Sequence, residues 1–302
     1  MTFPRIALTL ALAFAGAFAV DALCAARGLL PPGFRAPWRR GLAMLVLAAL
    51  LAVGVFAPLA SFGVSLEPDL AKISTPQLFL LHALMVATMV LWFLLGFAGV
   101  RPVPPPVPEP VLEPAPEPPP PPRLSLARQF AIQFGFVPRT SVPREIGLGV
   151  LVGIGAWAAV LAALMLIAGV LWAVGGESAI PKAPPALVPF IAGLPVGIRF
   201  LVSLSAGVVE ESFFRGFLQP RVGILLSTAF FAVAHLSYGQ PFMLVGIALL
   251  SLIYGLLVKW RQNLWPAMAA HALFDGVQLL VVVPAALKML QGTGGKLAAF
   301  LW

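Results

Sequence analysis

Apolar runs close to the length needed to cross a lipid bilayer recur along almost the whole chain. They lie roughly at residues 6–24, 41–63, 77–99, 146–174, 188–218, 222–238, 241–259 and 263–285. About 20 apolar residues span a bilayer, and backbone polar groups in lipid must be satisfied within a helix or a closed barrel. Segments of this length and composition are helical spans. The predicted fold is therefore all-α, a polytopic integral membrane protein with about eight transmembrane helices. Composition agrees, with 60% hydrophobic and 10% charged residues over 302 positions, where a soluble chain carries about 25% charged residues.

The placement of Lys and Arg tests the count. With both termini outside, the inner loops and helix ends collect Arg27, Arg35, Arg39, Arg40, Arg101, Arg123, Arg128, Arg139, Arg144, Arg215, Arg221, Lys259 and Arg261, while Arg5, Lys72, Lys182, Lys288 and Lys296 fall outside. This is the asymmetry that orients membrane proteins. It also accounts for the net charge of +8 without a nucleic-acid partner. The first run, with Arg5 before it and Ala17-Phe-Ala19 within it, has some features of a signal peptide, but it continues through Asp21 and Leu23 and reads as an uncleaved first span. The single cysteine, Cys24, excludes an internal disulfide framework and a Cys-rich metal site.

Residues 102–122 contain 13 prolines, interrupted by Glu109, Glu113 and Glu117. Such a segment forms an extended polyproline II spacer. The organisation read from it is an N-terminal three-span unit (1–100), a Pro-rich linker (101–123) and a five-span C-terminal domain (124–302). A plain linker is the first reading; a docking site for an SH3-like partner is the second. Residues 124–136 are amphipathic and predicted to lie along the inner interface. Gly193-Leu-Pro195 should break the fifth run.

Against this apolar background, Glu210 and Glu211 stand out. An ionisable residue at membrane depth costs roughly 2.5–3.5 kcal/mol for Asp on insertion scales and is by default a candidate functional group. Glu211 and Arg215 are four apart with the acid first, the favourable order for a helical ion pair. Glu210 is five from Arg215 and is left to face something else. Phe231 and His235, and His271 and Asp275, are also spaced by four, so each pair shares a helical face. Counted from the inner boundary at the 1.5 Å helical rise, Glu210, His235, His271 and Asp275 all fall about 12–20 Å deep. Three helices thus offer polar groups at one level of a core about 30 Å thick, which predicts a single buried polar site. His82, in the third run with no polar neighbour in sequence, reads instead as a satisfied core histidine.

Such a set can hydrolyse a peptide bond with an activated water. A carboxylate in a dry site serves as general base, a neighbouring His shares the water, and a second His donates to the oxyanion. Two His and a carboxylate are also a zinc-ligand set, and the sequence leaves that alternative open; no other cofactor is implied. There is no His-Glu-x-x-His, no Gly-x-Ser-x-Gly and no second nearby Asp for an aspartyl dyad.

The three motifs together, Glu210-Glu211-x-x-x-Arg215, Phe231-x-x-x-His235 and His271-x-x-x-Asp275, resemble those of the CPBP family. These are CAAX-prenyl-protease-type and bacteriocin-processing intramembrane glutamic endopeptidases, also called the Abi family. The resemblance covers about residues 140–285. It implies a helical core with a conical cavity, Glu210 as general base, His235 as its partner in activating water, and His271 with Asp275 at the oxyanion site. Glu211, Arg215 and Phe231 would be supporting residues. The prenyl-protease branch usually carries Asn where this chain has Asp275. An ionised Asp accepts hydrogen bonds but cannot donate them, so it orients His271, or donates only when protonated.

The expected function is an intramembrane endopeptidase in a bacterial inner (plasma) membrane, acting on a peptide or membrane-protein substrate. A non-catalytic membrane scaffold or bacteriocin-immunity-type protein with the same fold is the alternative. A proton-coupled transporter is a third, disfavoured by the lack of an internal repeat.

Overall fold

The computed structural model describes residues 2–61, 73–100, 124–176, 187–236 and 241–292. All regular structure among these residues is helical. The Pro-rich linker, with any partner it binds, lies outside the described residues.

Helices α1 (Phe3–Ala26), α2 (Pro37–Ser61) and α3 (Leu80–Phe97) come first. They are followed by the short α4 (Leu126–Gln133), the long α5 (Val142–Gly175) and α6 (Leu187–Ala192). Helix α7 begins at Val196 behind Pro195 and continues unbroken to Val222, passing through π-turns at Ala206–Glu210 and Ser212–Leu218. Helices α8 (Ile224–Ala234), α9 (Pro241–Arg261) and α10 (Trp265–Met289) complete the bundle.

The predicted eight spans are only an approximation. Among the described residues, six helices are long and apolar enough to cross a membrane: α1, α2, α3, α5, α9 and α10. The other two differ for separate reasons. Helix α7 is long enough but carries Arg199, Glu210, Glu211, Arg215 and Arg221. Helix α8 has 11 residues, or about 16 Å at the helical rise, roughly half the hydrocarbon thickness. The chain is nevertheless a multi-pass membrane protein. Large apolar side chains such as Leu151, Met165 and Leu166 point outward from α5, as expected where the surrounding solvent is lipid.

The N-terminal helices share a hydrophobic core with the C-terminal ones. Trp92 of α3 makes edge contacts with Phe34 (5.4 Å), Phe134 (6.5 Å) and Phe217 (5.3 Å). The Arg221 guanidinium lies against both the Trp92 and Phe217 rings, 4.0 and 4.2 Å from their centroids. Buried Phe134 follows α4 and fastens that amphipathic helix to this core. Its carbonyl passes so close to α7 that a Cβ on Gly216 would stand 2.6 Å from Phe134 O. A second cluster joins Ala156 and Val160 of α5 to Tyr254 of α9 and Ala270 of α10. Gly153 permits the approach of α5 to α10, since a Cβ there would meet Ala270 Cα at 3.0 Å; small residues serve this purpose between membrane helices.

Candidate active site

The site is assembled on α7, where two π-turns meet. A π-turn widens the helix and is a frequent feature of functional sites. Glu210 closes the first π-turn and Glu211 stands between the two. Both carboxylates turn inward, each toward a different imidazole.

Glu211 is wholly buried and lies 2.9 Å (Oε1) from Arg215 Nη1 and 2.7 Å from His271 Nδ1. Arg215 Nη2 also donates to Ser251 O of α9 at 3.3 Å. Its guanidinium carbon sits 4.5 Å from the Phe231 ring centroid. On the other edge of His271, Nε2 is 3.6 Å from Asp275 Oδ2. Tyr254 stacks against the His271 ring at 5.4 Å. The ring is therefore fixed by an acid at one nitrogen, a carboxylate near the other and an aromatic face.

Glu210 occupies the adjacent compartment. Its Oε2 is 4.0 Å from His235 Nε2, and no described residue supplies that oxygen with a hydrogen-bond donor. His235 caps the C-terminus of α8 and sits 2.7 Å (Nδ1) from Phe231 O. A carbonyl can only accept, so Nδ1 carries the hydrogen and Nε2 the lone pair of the neutral ring. The Phe231 and His235 rings are 4.5 Å apart. The Glu210 and His235 side chains keep 15% and 19% of their exposure, while Glu210 Oε2 itself is buried.

His82, read from the sequence as a satisfied core histidine, finds its partners on α7: its Nε2 lies 3.2 Å from Glu210 Oε1 and its Nδ1 lies 3.1 Å from Ser205 Oγ. No sequence neighbour marked it, because its partners lie 123 and 128 positions away. The buried seam of α3 is legible only in the folded helix. His82, Met85, Met89, Trp92 and Gly96 fall on one seam of α3, and the last four are buried. Ser205 and Tyr254 are the other site neighbours that sequence reasoning missed. Among the described residues no three of His, Cys, Asp and Glu are arranged as a metal-ion site.

A helical membrane protein with acids and imidazoles from four helices gathered inside it is the class that fold and site define. Residues 192–277 match the family model of the type II CAAX prenyl endopeptidase Rce1-like proteins. The chain thus carries an Rce1-like domain, with a CAAX-type intramembrane protease fold, in its C-terminal half. It is similar to the uncharacterized protein YpbD of Bacillus subtilis (strain 168), at 36% identity over 81 residues. The matched region is 26% of this chain and spans 42% of that protein's length. No solved structure matches significantly.

Proposed function

We propose that this chain is an intramembrane glutamic endopeptidase of a bacterial plasma membrane, cleaving a peptide or membrane-protein substrate with water activated by Glu210 and His235. The observation that carries the reading is the 4.0 Å separation of Glu210 Oε2 from His235 Nε2. That gap is too long for a hydrogen bond but suits a bridging water. A water about 2.8 Å from each atom would have its two acceptors roughly 90° apart, close to its own bond angle. Both atoms are acceptors, so such a water donates both hydrogens and directs its lone pairs outward.

Chemistry then follows with protons balanced. The water oxygen attacks the scissile carbonyl carbon while Glu210 takes a proton. The carbonyl π electrons move onto the oxygen, and the resulting oxyanion faces the His271 side of the site. Collapse breaks the C–N bond, and the proton passes from Glu210 to the leaving amine. His271 uses Nδ1–H on Glu211, so only its imidazolium form has a second N–H to give the oxyanion. Asp275, beside Nε2, holds the ring in place for that role.

The test is cleavage of a quenched peptide library by the pure full-length chain, read by mass spectrometry. Glu210→Ala and His235→Ala should each lower kcat by about 10²–10⁴-fold, the range for loss of a general base. Wild-type rates in both variants would eliminate the mechanism. Activity abolished by a chelator and restored by zinc would replace it with metal-assisted hydrolysis.

A further inference from the structure

We infer that His82, contributed by the N-terminal unit and lying outside the matched segment, is a positioning residue for Glu210. This rests on Glu210 being the base.

Three observations carry it. First, His82 Nε2 is 3.2 Å from Oε1 of Glu210, while Oε2 is the oxygen that faces His235. One carboxylate oxygen is held and the other presented. Second, His82 is itself held. Ser205 Oγ lies 3.1 Å from His82 Nδ1 and 3.0 Å from Val202 O; with Nε2–H given to Glu210, Nδ1 of the neutral ring accepts from the Ser205 hydroxyl. Ser205 lies five residues before Glu210 on α7, so ring and carboxylate share one mount. Third, the register of α3 on α7 is locked elsewhere. Trp92 stacks on Arg221 at 4.0 Å. Counting back along each helix gives ten residues from Trp92 to His82 (92 − 82) and eleven from Arg221 to Glu210 (221 − 210). At 1.5 Å per residue the steps are about 15 and 16.5 Å, and the wider π-turn at Ser212–Leu218 shortens the second. The aromatic–cation contact at the inner end therefore delivers His82 to the depth of Glu210, and the N-terminal helices complete the site.

The test separates a specific hydrogen bond from a space-filling role. Gln places an amide N–H near the position of Nε2 and keeps the bond to Glu210; Asn places its amide oxygen near Nδ1 and keeps only Ser205. On a peptide cleaved by the wild-type chain, His82→Ala and His82→Asn should lower kcat by about 10²-fold with KM little changed, the cost of a misplaced group. His82→Gln should recover most of the loss. Equal rates for the Asn and Gln variants, or an unchanged rate for Ala, would overturn the inference. A second arm needs no substrate. The chain has 3 histidines, so ¹⁵N-histidine labelling gives a spectrum assignable by substitution. Glu210→Gln should displace the His82 ring resonances, and unmoved resonances would overturn the inference whatever the kinetics show. Should Glu210→Ala prove active, the base assignment falls, while this spectrum still reports whether the His82–Glu210 pair exists.

Discussion

His271 Nδ1 lies 2.7 Å from Glu211 Oε1, and Arg215 Nη1 reaches the same oxygen at 2.9 Å. The second glutamate of the doublet is thus engaged from two sides, once within its own helix and once across to α10. A buried ion pair is costly to create and more costly to break. Its use here is geometric: it fixes which way the His271 ring faces.

Removing one member should show both effects. Glu211→Ala leaves Arg215, 1% exposed, as an uncompensated buried cation, and should destabilise the protein by about 3–5 kcal/mol, read as a fall in thermal midpoint in detergent. The double variant Glu211→Leu/Arg215→Met removes both charges and should recover most of that stability, as apolar replacements of buried pairs often do. It should not recover cleavage, because His271 loses its Nδ1 partner. Recovery of stability and kcat together would show that Glu211 does not orient His271.

Asp275 makes a contrasting case. Its side chain is 27% exposed and stands 3.6 Å from His271 Nε2, too far for a strong bond in the resting site. Asp275→Asn keeps the shape and adds an N–H donor. We expect it to retain kcat within about tenfold, and Asp275→Ala to lose about 10²-fold, the scale for one oxyanion-hole donor or its support. Both variants should melt near the wild-type temperature. If Asn and Ala are equally impaired, the carboxylate charge matters and the hydrogen-bonding shape does not.

Much of this site was legible in the sequence, because spacing by four survives folding. The pairs Glu211/Arg215, Phe231/His235 and His271/Asp275 each meet within one helix. What failed to show had to be read between helices. Helix α3 is apolar nearly all round, so nothing in its sequence says which face is buried, and His82 pairs with Glu210 only because Trp92 and Arg221 set the register. The π-turns of α7 were equally hidden: Ala206-Gly-Val-Val-Glu210 has no residue that forces a wider turn. Span counting was only approximate at two places, α7 with its charges and the short α8 that ends at Ala234.

Away from the site, Glu145 joins α5 to α9. Arg261 donates to it twice, at 2.7 and 3.0 Å, and Thr140 Oγ1 donates at 2.9 Å. Glu145 is fully buried while the Arg261 side chain keeps 16% exposure. Glu145→Ala should therefore cost toward the lower end of the roughly 3–5 kcal/mol expected for a broken buried pair. Arg261 can turn to the interface and recover some solvation. Thermal melting measures the loss. The cleavage rate per folded molecule, taken well below the melting transition, should match the wild type. A lower rate there would mean that this contact also shapes the site.

The closest backbone approach near the carboxylates is at Gly207, in the π-turn that Glu210 closes. A Cβ on Gly207 would stand 2.7 Å from Ala272 N and 2.8 Å from Met268 O, both on α10. Neither atom can yield without shifting helix backbone. Gly207→Ala should push α7 from α10 and separate Glu211 from His271, whose 2.7 Å contact crosses that same interface. Overpacking of this kind costs about 1–3 kcal/mol, and a displacement near 1 Å at the reacting groups can cost about 10²-fold in rate. The rate should thus fall more than the stability. Gly155 is the control, since a Cβ there meets nothing within 4 Å. Gly155→Ala should leave melting and cleavage unchanged. Should Gly207→Ala cleave at the wild-type rate, close packing of α7 on α10 is not what aligns the site.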